Sequence, residues 1–393
     1  MEELELFIEQ ITINEVRHLK DVAISISDTE RKHLILTGKN GSGKTSVLEA
    51  IKITFERTIK NVKHNVEKSN DVTFVYKQED KVGLTISFND RHYYRLLKSI
   101  FVTGNFIIAS FQARRNSKLN IPQGIKKFNF KKNYNLDDSI APNFLQHIVN
   151  LKADRSFAKD DNDSQVVEEV DRWFNNFEKV LKPIFDDKKL KLVFDRKDYN
   201  FNIVLKNGQK MPFNALSDGY SAILNIVMEL MLRMEGKVKN VYDIQGIVLI
   251  DEIETHLHID LQNKILPFLT SFFPKIQFIV STHSPFVLNS ISNAVIYDLE
   301  KNIRIEDMSD YPADGIVKGY FDSDEYSQAG IKKIREYEKL ALNEELNEQQ
   351  QERFDELHME FRDISGKLAP QLKSEFYRIE LERKTRVHAK ANG

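Results

Sequence analysis

Residues 34–50 read LILTGKNGSGKTSVLEA. An apolar run enters a glycine-rich turn, and Lys44 and Thr45 open what the pattern predicts to be a helix from about Lys44 to Thr58. Gly38-Lys39-Asn40-Gly41-Ser42-Gly43-Lys44-Thr45 satisfies the whole G-x-x-x-x-G-K-[ST] pattern in strand-loop-helix order. In such a loop the glycines let the backbone approach phosphate oxygens, and successive amides and the helix N-terminus face the anion. Lys44 reaches the terminal phosphates, and the Thr45 hydroxyl ligates Mg²⁺. The stretch predicts a nucleotide phosphate held by Gly38, Asn40, Gly41, Ser42, Gly43, Lys44, Thr45 and Ser46, and leaves open what the nucleotide is used for.

Three later segments extend that site. IVLIDE, residues 247–252, is an apolar strand ending in two carboxylates. Asp251 is placed to hold Mg²⁺, and Glu252 to take a proton from an attacking water. STHSP, residues 281–285, ends the next apolar strand, IQFIVS, and puts His283 at the sheet edge where open α/β folds bind ligands. LSDGY, residues 216–220, opens a helix from Asp218 to Met234 that reads as amphipathic, with a stripe of Ala222, Ile223, Ile226, Val227, Leu230 and Met231. Ser217 there reads either as an N-cap or, with Gly219, as part of a second phosphate-binding surface.

Composition bounds the class. The 393 residues suffice for one large or two ordinary domains, and 41 % apolar with 30 % charged residues describes a globular chain rather than a membrane or disordered one. The formal net charge of −2 confines any nucleic-acid binding to a local patch. Without cysteine there is no disulfide, thiolate metal site or cysteine nucleophile. The acidic start MEELELFIEQ lacks the layout of a secretory signal, and no run approaches the roughly 18 apolar residues of a spanning helix. The expectation is a cytoplasmic protein without membrane contact.

Along the chain, FIEQITINEVRHLKDVAISI alternates as two strands joined near Arg17 to Asp21, and His33 to Thr37 forms the strand before the loop. VTFVYKQ, VGLTISF, HYYRLLK and NFIIASF, between Asp71 and Phe111, predict an antiparallel sheet extension. Asp138 to Phe185 reads as helical, and KLVFD with NIVLK as a hairpin. From about Asp322 Glu, Lys, Gln and Arg dominate, and Phe354, Leu357, Phe361, Ile364 and Leu368 mark a helical appendage interrupted near Pro370. The expected domains are an N-terminal lobe (1–111), a basic loop with a helical lid insertion (112–190), a C-terminal lobe (191–321) and the appendage (322–393).

The phosphate loop, LSDGY, IVLIDE and STHSP in this order, after ITINEVRHLKDVAISI, resemble the ABC-type ATPase heads of the RecF, SMC and OLD group over about residues 5–310. Within that group the chain is most similar to prokaryotic AAA-family ATPases of anti-phage defence operons, such as the PtuA-like ATPases of Septu and retron systems. The resemblance implies an α/β P-loop fold with an ABC-type head, in which a mixed sheet carries an antiparallel β subdomain. It implies an Mg²⁺-dependent ATPase with LSDGY as signature motif, His283 as switch histidine and Gln112, after IIASF, as the glutamine that senses Mg²⁺ and water. DEIETHLHIDLQ resembles the DEPExHLHP segment of the group, so His256 and His258 read as structural or dimer contacts rather than metal ligands.

In this family two heads pack head to tail, so Ser217 and Gly219 would close over ATP held by the other chain. The implied partners are a second copy, or a higher homo-oligomer, and a separate effector, a nuclease or toxin. The competing reading is a RecF-like DNA-repair ATPase. Asp218 and Tyr220 replace the glycine and glutamine of LSGGQ, and Ile253 stands where the group often has proline. Arg114, Arg115, Lys118, Lys126, Lys127, Lys131 and Lys132, interleaved with Phe128, Phe130 and Tyr134, read as a nucleic-acid contact or as a solvated lid loop. The interval from Gln112 to Leu216 holds no sustained heptads, which argues against an SMC-like coiled coil.

Overall fold

The alternating apolar residues at the N-terminus fold as a hairpin. β1 (Ile8–Val16) and β2 (Leu19–Ser25) pair antiparallel, with Ile11 opposite Ile24 and Ile13 opposite Val22 on the buried face. β3 (His33–Thr37) is buried at every position and delivers the chain to the glycine loop, after which α1 runs from Lys44 to Lys60. The computed structural model describes residues 5–60, 83–90, 93–115, 118–235, 242–313, 315–316, 328–343, 345–363 and 370–391.

The expected antiparallel extension is only partly realised. VTFVYKQ lies outside the described residues. β4 (Leu84–Phe88) does pair antiparallel with β1, completing the order β2-β1-β4. YYRLLK, the described part of HYYRLLK, instead belongs to a helix, α2 (Tyr93–Val102). Leu97 and Phe101 are buried four residues apart, with Leu96 and Ile100 beside them, a helical stripe that a short window mimics as alternation. NFIIASF forms β5 (Phe106–Phe111), but it pairs parallel with a later strand in the central sheet, where both faces are covered.

The insertion carries α3 (Phe144–Asp160) and α4 (Ser164–Ile184), the latter capped by the Asp163 carboxylate, which accepts from Val166 N at 3.2 Å. A small antiparallel sheet follows, with β6 (Lys191–Asp195), β7 (Asn200–Val204) and β8 (Lys210–Pro212) in that order. α5 (Asp218–Met234) is not amphipathic in its burial. Every residue from Ala222 to Met234 is buried, Asn225, Glu229 and Arg233 included. The remaining core elements are β9 (Gln245–Ile250), α6 (Ile259–Phe272), β10 (Ile276–Ser281), α7 (Pro285–Leu288), β11 (Ala294–Asp298) and β12 (Ile303–Ile305).

The central sheet has the order β12-β11-β3-β10-β9-β5, parallel except for β12 at one edge. β3 therefore lies beside β10, and β10 beside β9, so the phosphate loop, STHSP and IVLIDE leave the same edge of adjacent strands. One core joins this sheet to the β1 hairpin around α1, through Val47, Ile51, Phe55, Ile11, Leu36 and Ile279 among others.

Chain contacts divide the protein into two compact units, residues 1–313 and 314–393. The second holds α8 (Gln328–Ala341), α9 (Glu348–Asp363) and α10, which begins at Pro370 and runs to Ala391. Its own core gathers Ile334, Tyr337, Leu357, Phe361, Phe376 and Ile379. The Tyr337 hydroxyl donates to Glu380 Oε1 at 2.7 Å and lies 2.8 Å from His358 Nδ1.

One polar residue inside the apolar run of β3 makes stability depend on pH. His33 is buried, and its Nδ1 accepts from Phe278 N at 3.1 Å. Burial, reinforced by the Arg31 cation, pushes its pKa down to about 3. An unfolded histidine titrates near 6.5, so this contribution is intact above that pH and is lost as pH falls from about 6.5 toward 3, roughly 2 kcal/mol by pH 5. His33→Asn, whose amide oxygen keeps the acceptor, is expected to lose about 2 kcal/mol less than the parent between pH 7 and pH 5 in urea unfolding. Equal losses would show that His33 does not carry the effect.

Candidate nucleotide-binding site

The loop between β3 and α1 is built on left-handed glycines, with φ of +127° at Gly38, +86° at Gly41 and +101° at Gly43. A Cβ at Gly43 would come within 2.8 Å of Leu19 Cδ1, so that position is closed to larger residues by packing as well as by φ. The Lys44 ammonium folds over the loop and donates to Gly38 O at 2.8 Å and Lys39 O at 3.1 Å, two of its three N–H groups. Burial lowers its pKa, opposed by the carboxylates of Glu252, Asp251, Glu254 and Asp298. Ser42 Oγ and Thr37 Oγ are buried with no hydrogen-bond partner among the described residues.

Across from the loop, Asp251 uses both oxygens. Thr45 Oγ donates to Oδ2 at 2.9 Å, and Ser281 Oγ donates to Oδ1 at 2.5 Å. The same serine oxygen accepts from Glu252 N at 2.8 Å. The first turn of α1 and the ends of two parallel strands, β9 and β10, thus meet in one chain of bonds from Thr45 through Asp251 and Ser281 to Glu252.

Glu252 itself sits at φ +43°, a left-handed conformation that a glutamate adopts at a cost of about 1–3 kcal/mol. Its carboxylate accepts from Thr255 Oγ at 3.1 Å. Glu254 Oε1 accepts from His283 N at 2.6 Å, fixing the end of β10, while Glu254 Oε2 is buried without a partner among the described residues. Burial and then the Lys44 cation lower the His283 pKa, against the nearby carboxylates of Glu254, Glu252 and Asp251. The imidazole is therefore mainly neutral at pH 7 and can present one N–H and one lone pair.

The structure brings Lys44, Thr45, Asp251, Glu252 and His283 to one edge of the central sheet. Gln112 is exposed just past β5 and lines a cavity of about 280 Å³ with Arg115, Asn225, Glu229 and Arg233. Ser217 stands at the N-terminus of α5, exposed, but its side chain makes no capping bond. Asp218 is exposed in the first helical turn, where a negative charge favours the helix dipole. A Cβ at Gly219 would lie 3.0 Å from His256 O, so packing within the chain also calls for glycine there. His256 and His258 are both exposed.

The basic run is not one surface. Lys126, Lys127, Lys131 and Lys132 are exposed, but Tyr134 is buried and Phe130 packs edge-on against His147 at 5.2 Å, so these two rings are taken up internally. Arg115 departs furthest from expectation. Its guanidinium turns inward, and Nη2 donates to Asp251 O at 2.9 Å and Glu252 O at 3.0 Å. Burial pushes its pKa down to about 10, against Glu254, Asp251 and Glu252, which leaves it cationic at neutral pH.

The oxygen donors of Thr45 and Asp251, 2.9 Å apart beside the phosphate loop, suit a hard cation such as Mg²⁺. Among the described residues no cluster of three or more histidine, cysteine or carboxylate groups could hold a metal unaided, so such an ion would share its shell with phosphate and water.

A family model described as "AAA domain, putative AbiEii toxin, Type IV TA system" matches residues 34–289, a span that begins in β3 and ends after His283. The chain belongs to this AAA-domain family. Its fold is α/β, a six-stranded central sheet with a phosphate loop after β3, and Lys44, Asp251, Glu252 and His283 all fall within the family's span. It is 26 % identical over 305 residues to the Septu protein PtuA of Bacillus mycoides, covering 75 % of this chain and 41 % of that protein. It is 22 % identical over 361 residues to the Retron Vc95 probable ATPase of Vibrio cholerae, covering 70 % of each. The chain therefore spans about two-fifths of that Septu relative's length. The SMC head domain from Thermotoga maritima aligns at 14 % identity and a TM-score of 0.38 over 74 % of this chain and 94 % of that one. No helix among the described residues is long and apolar enough to cross a membrane.

Proposed function

We propose that this chain binds and hydrolyses ATP, working as a head-to-tail dimer that controls a separate effector in anti-phage defence. The observation that carries the reading is the bonded chain Thr45–Asp251–Ser281–Glu252 lying opposite Lys44, with His283 beside it. It unites a phosphate-binding loop, an oxygen site and a strained carboxylate on one sheet edge.

The third N–H of Lys44 would engage the terminal phosphates, with the amides of residues 41–46 and the Ser42 hydroxyl around them. Thr45 and Asp251 would hold Mg²⁺, which when bound offsets negative charge on the phosphate oxygens. Glu252 accepts the proton of a water that attacks the γ-phosphorus as the bond to the β,γ-bridging oxygen breaks, and ADP departs with that electron pair. Neutral His283 donates to a γ-phosphate oxygen. Ser217 and Gly219 of a second copy would complete the site, and Gln112 would report its occupancy. The defence role and the effector, a nuclease or toxin, rest on the resemblance to the Septu and retron ATPases. The exposed lysines 126, 127, 131 and 132 offer phosphate contacts should that effector act with nucleic acid.

Lys44→Ala removes a charge-assisted contact worth about 1.5–3 kcal/mol, so ATP affinity is expected to fall roughly tenfold to hundredfold. Titration with a fluorescent ATP analogue measures it. Unchanged affinity would refute the assignment of the loop.

A further inference from the structure

Arg115 occupies a position that no general property of a phosphate loop explains. β9 ends at Ile250, yet the next three N–H groups still find partners across the sheet: Asp251 N on Phe111 O at 2.9 Å, Glu252 N on Ser281 Oγ at 2.8 Å, Ile253 N on Ser281 O at 3.1 Å. The carbonyls of the same three residues lie past the end of β9, and of them Glu252 O also accepts from Thr255 N at 3.0 Å within the turn. In extended chain successive carbonyls alternate in direction, and the left-handed Glu252 breaks that alternation. Residues 251, 252 and 253 consequently turn their carbonyls onto one guanidinium, at 2.9, 3.0 and 3.4 Å.

A planar fork of fixed donors suits this task, and an ammonium cannot span three acceptors in the same way. Arg114, the adjacent residue, is exposed. Arg115 is embedded among Glu254, Asp251 and Glu252, and its buried Nε has no partner among the described residues. A side chain placed only to bind external phosphate would not direct its donors at the backbone of the hydrolytic strand.

We infer that Arg115 is a positioning residue for hydrolysis: by gathering the carbonyls of Asp251, Glu252 and Ile253 it holds Glu252 in its left-handed conformation and so aims the carboxylate at the attacking water. The inference rests on the assignment of Glu252 as proton acceptor. Because Arg115 lies four residues past β5, it also ties the start of the insertion to that carboxylate.

The test uses the full chain with Arg115→Lys, Arg115→Ala and Glu252→Gln. Arg115→Lys keeps charge and most of the bulk. Its kcat is expected to fall about tenfold to a hundredfold, the scale of a small misplacement of a reacting group, with KM within about threefold and melting temperature little changed. In Arg115→Ala, millimolar guanidinium ion is expected to recover several-fold of the lost kcat, and it should recover none in Glu252→Gln. Full kcat in Arg115→Lys would overturn the proposal, as would a loss in Arg115→Ala that follows thermal stability and ignores guanidinium. If Glu252→Gln loses turnover while either result holds, only the role of Arg115 fails. Normal turnover in Glu252→Gln would remove the underlying reading as well.

Discussion

A Glu252→Gln protein is expected to bind ATP with near-parental affinity and to release almost no phosphate. Glutamine has the volume of glutamate, and its amide oxygen can still accept from Thr255 Oγ, which reaches the native carboxylate at 3.1 Å. Backbone contacts to Ser281 and Arg115 use only main-chain atoms of residue 252, so the left-handed turn should survive. What the amide cannot do is take a proton. A positioned general base contributes roughly 10²–10⁴-fold, so kcat should drop at least a hundredfold while the dissociation constant for ATP stays within about threefold. Asp251→Asn would be a poorer probe, since Asp251 binds both Thr45 and Ser281 and its loss disturbs several contacts at once.

The same variant tests assembly. If Ser217 and Gly219 of one copy close over the nucleotide of another, blocking hydrolysis should trap the closed state. ATP-bound Glu252→Gln should then elute from gel filtration as a dimer, whereas the nucleotide-free protein elutes smaller. A monomer under saturating ATP and Mg²⁺ would refute the head-to-tail arrangement while leaving the base assignment standing. Turnover within about threefold of the parent would refute the base assignment itself.

How much of this was legible in the sequence depends on whether a residue's role is set locally. The phosphate loop and its strand were readable because spacing, glycine conformations and the continuous burial of β3 are local consequences of a few residues. β9 and β10 were readable for the same reason, as unbroken apolar runs of a parallel sheet. β5 looked like part of an antiparallel extension because its partner, β9, lies more than a hundred residues later. α2 was misread because a seven-residue window cannot separate alternation from a helical stripe.

Arg115 was hidden among like charges. Nothing in RRNSK distinguishes Arg114, which faces solvent, from Arg115, which faces Asp251 and Glu252. Glu229 and Arg233 carried a weak signal. A Glu–Arg pair at i,i+4 is an ordinary surface motif, but here Met228, Leu230, Met231, Leu232 and Met234 surround it in sequence, leaving no solvent face on which the pair could lie.

That buried pair yields the second large effect. Arg233 Nε donates to Glu229 Oε1 at 2.8 Å, and Glu229 Oε2 accepts from Ile140 N and Ala141 N, both at 2.7 Å. Arg233 extends the network to Ile108 O at 2.9 Å on β5 and Asp138 O at 2.6 Å. One ion pair therefore joins α5, the strand that precedes Gln112, and the segment that enters α3. Arg233→Met fills similar volume but strands a carboxylate in the core and leaves the carbonyls of Ile108 and Asp138 without this donor. Breaking a buried pair from one side costs about 3–5 kcal/mol. Urea unfolding followed by Trp173 fluorescence should show a destabilisation of that size. Adding Glu229→Met removes the stranded charge, so the double variant should be destabilised by at least about 1 kcal/mol less than the sum of the two single changes. Additive losses would mean that the two side chains act separately on the backbone. A cost below about 1 kcal/mol for Arg233→Met would mean that packing of the surrounding leucines and methionines holds α5 without the network.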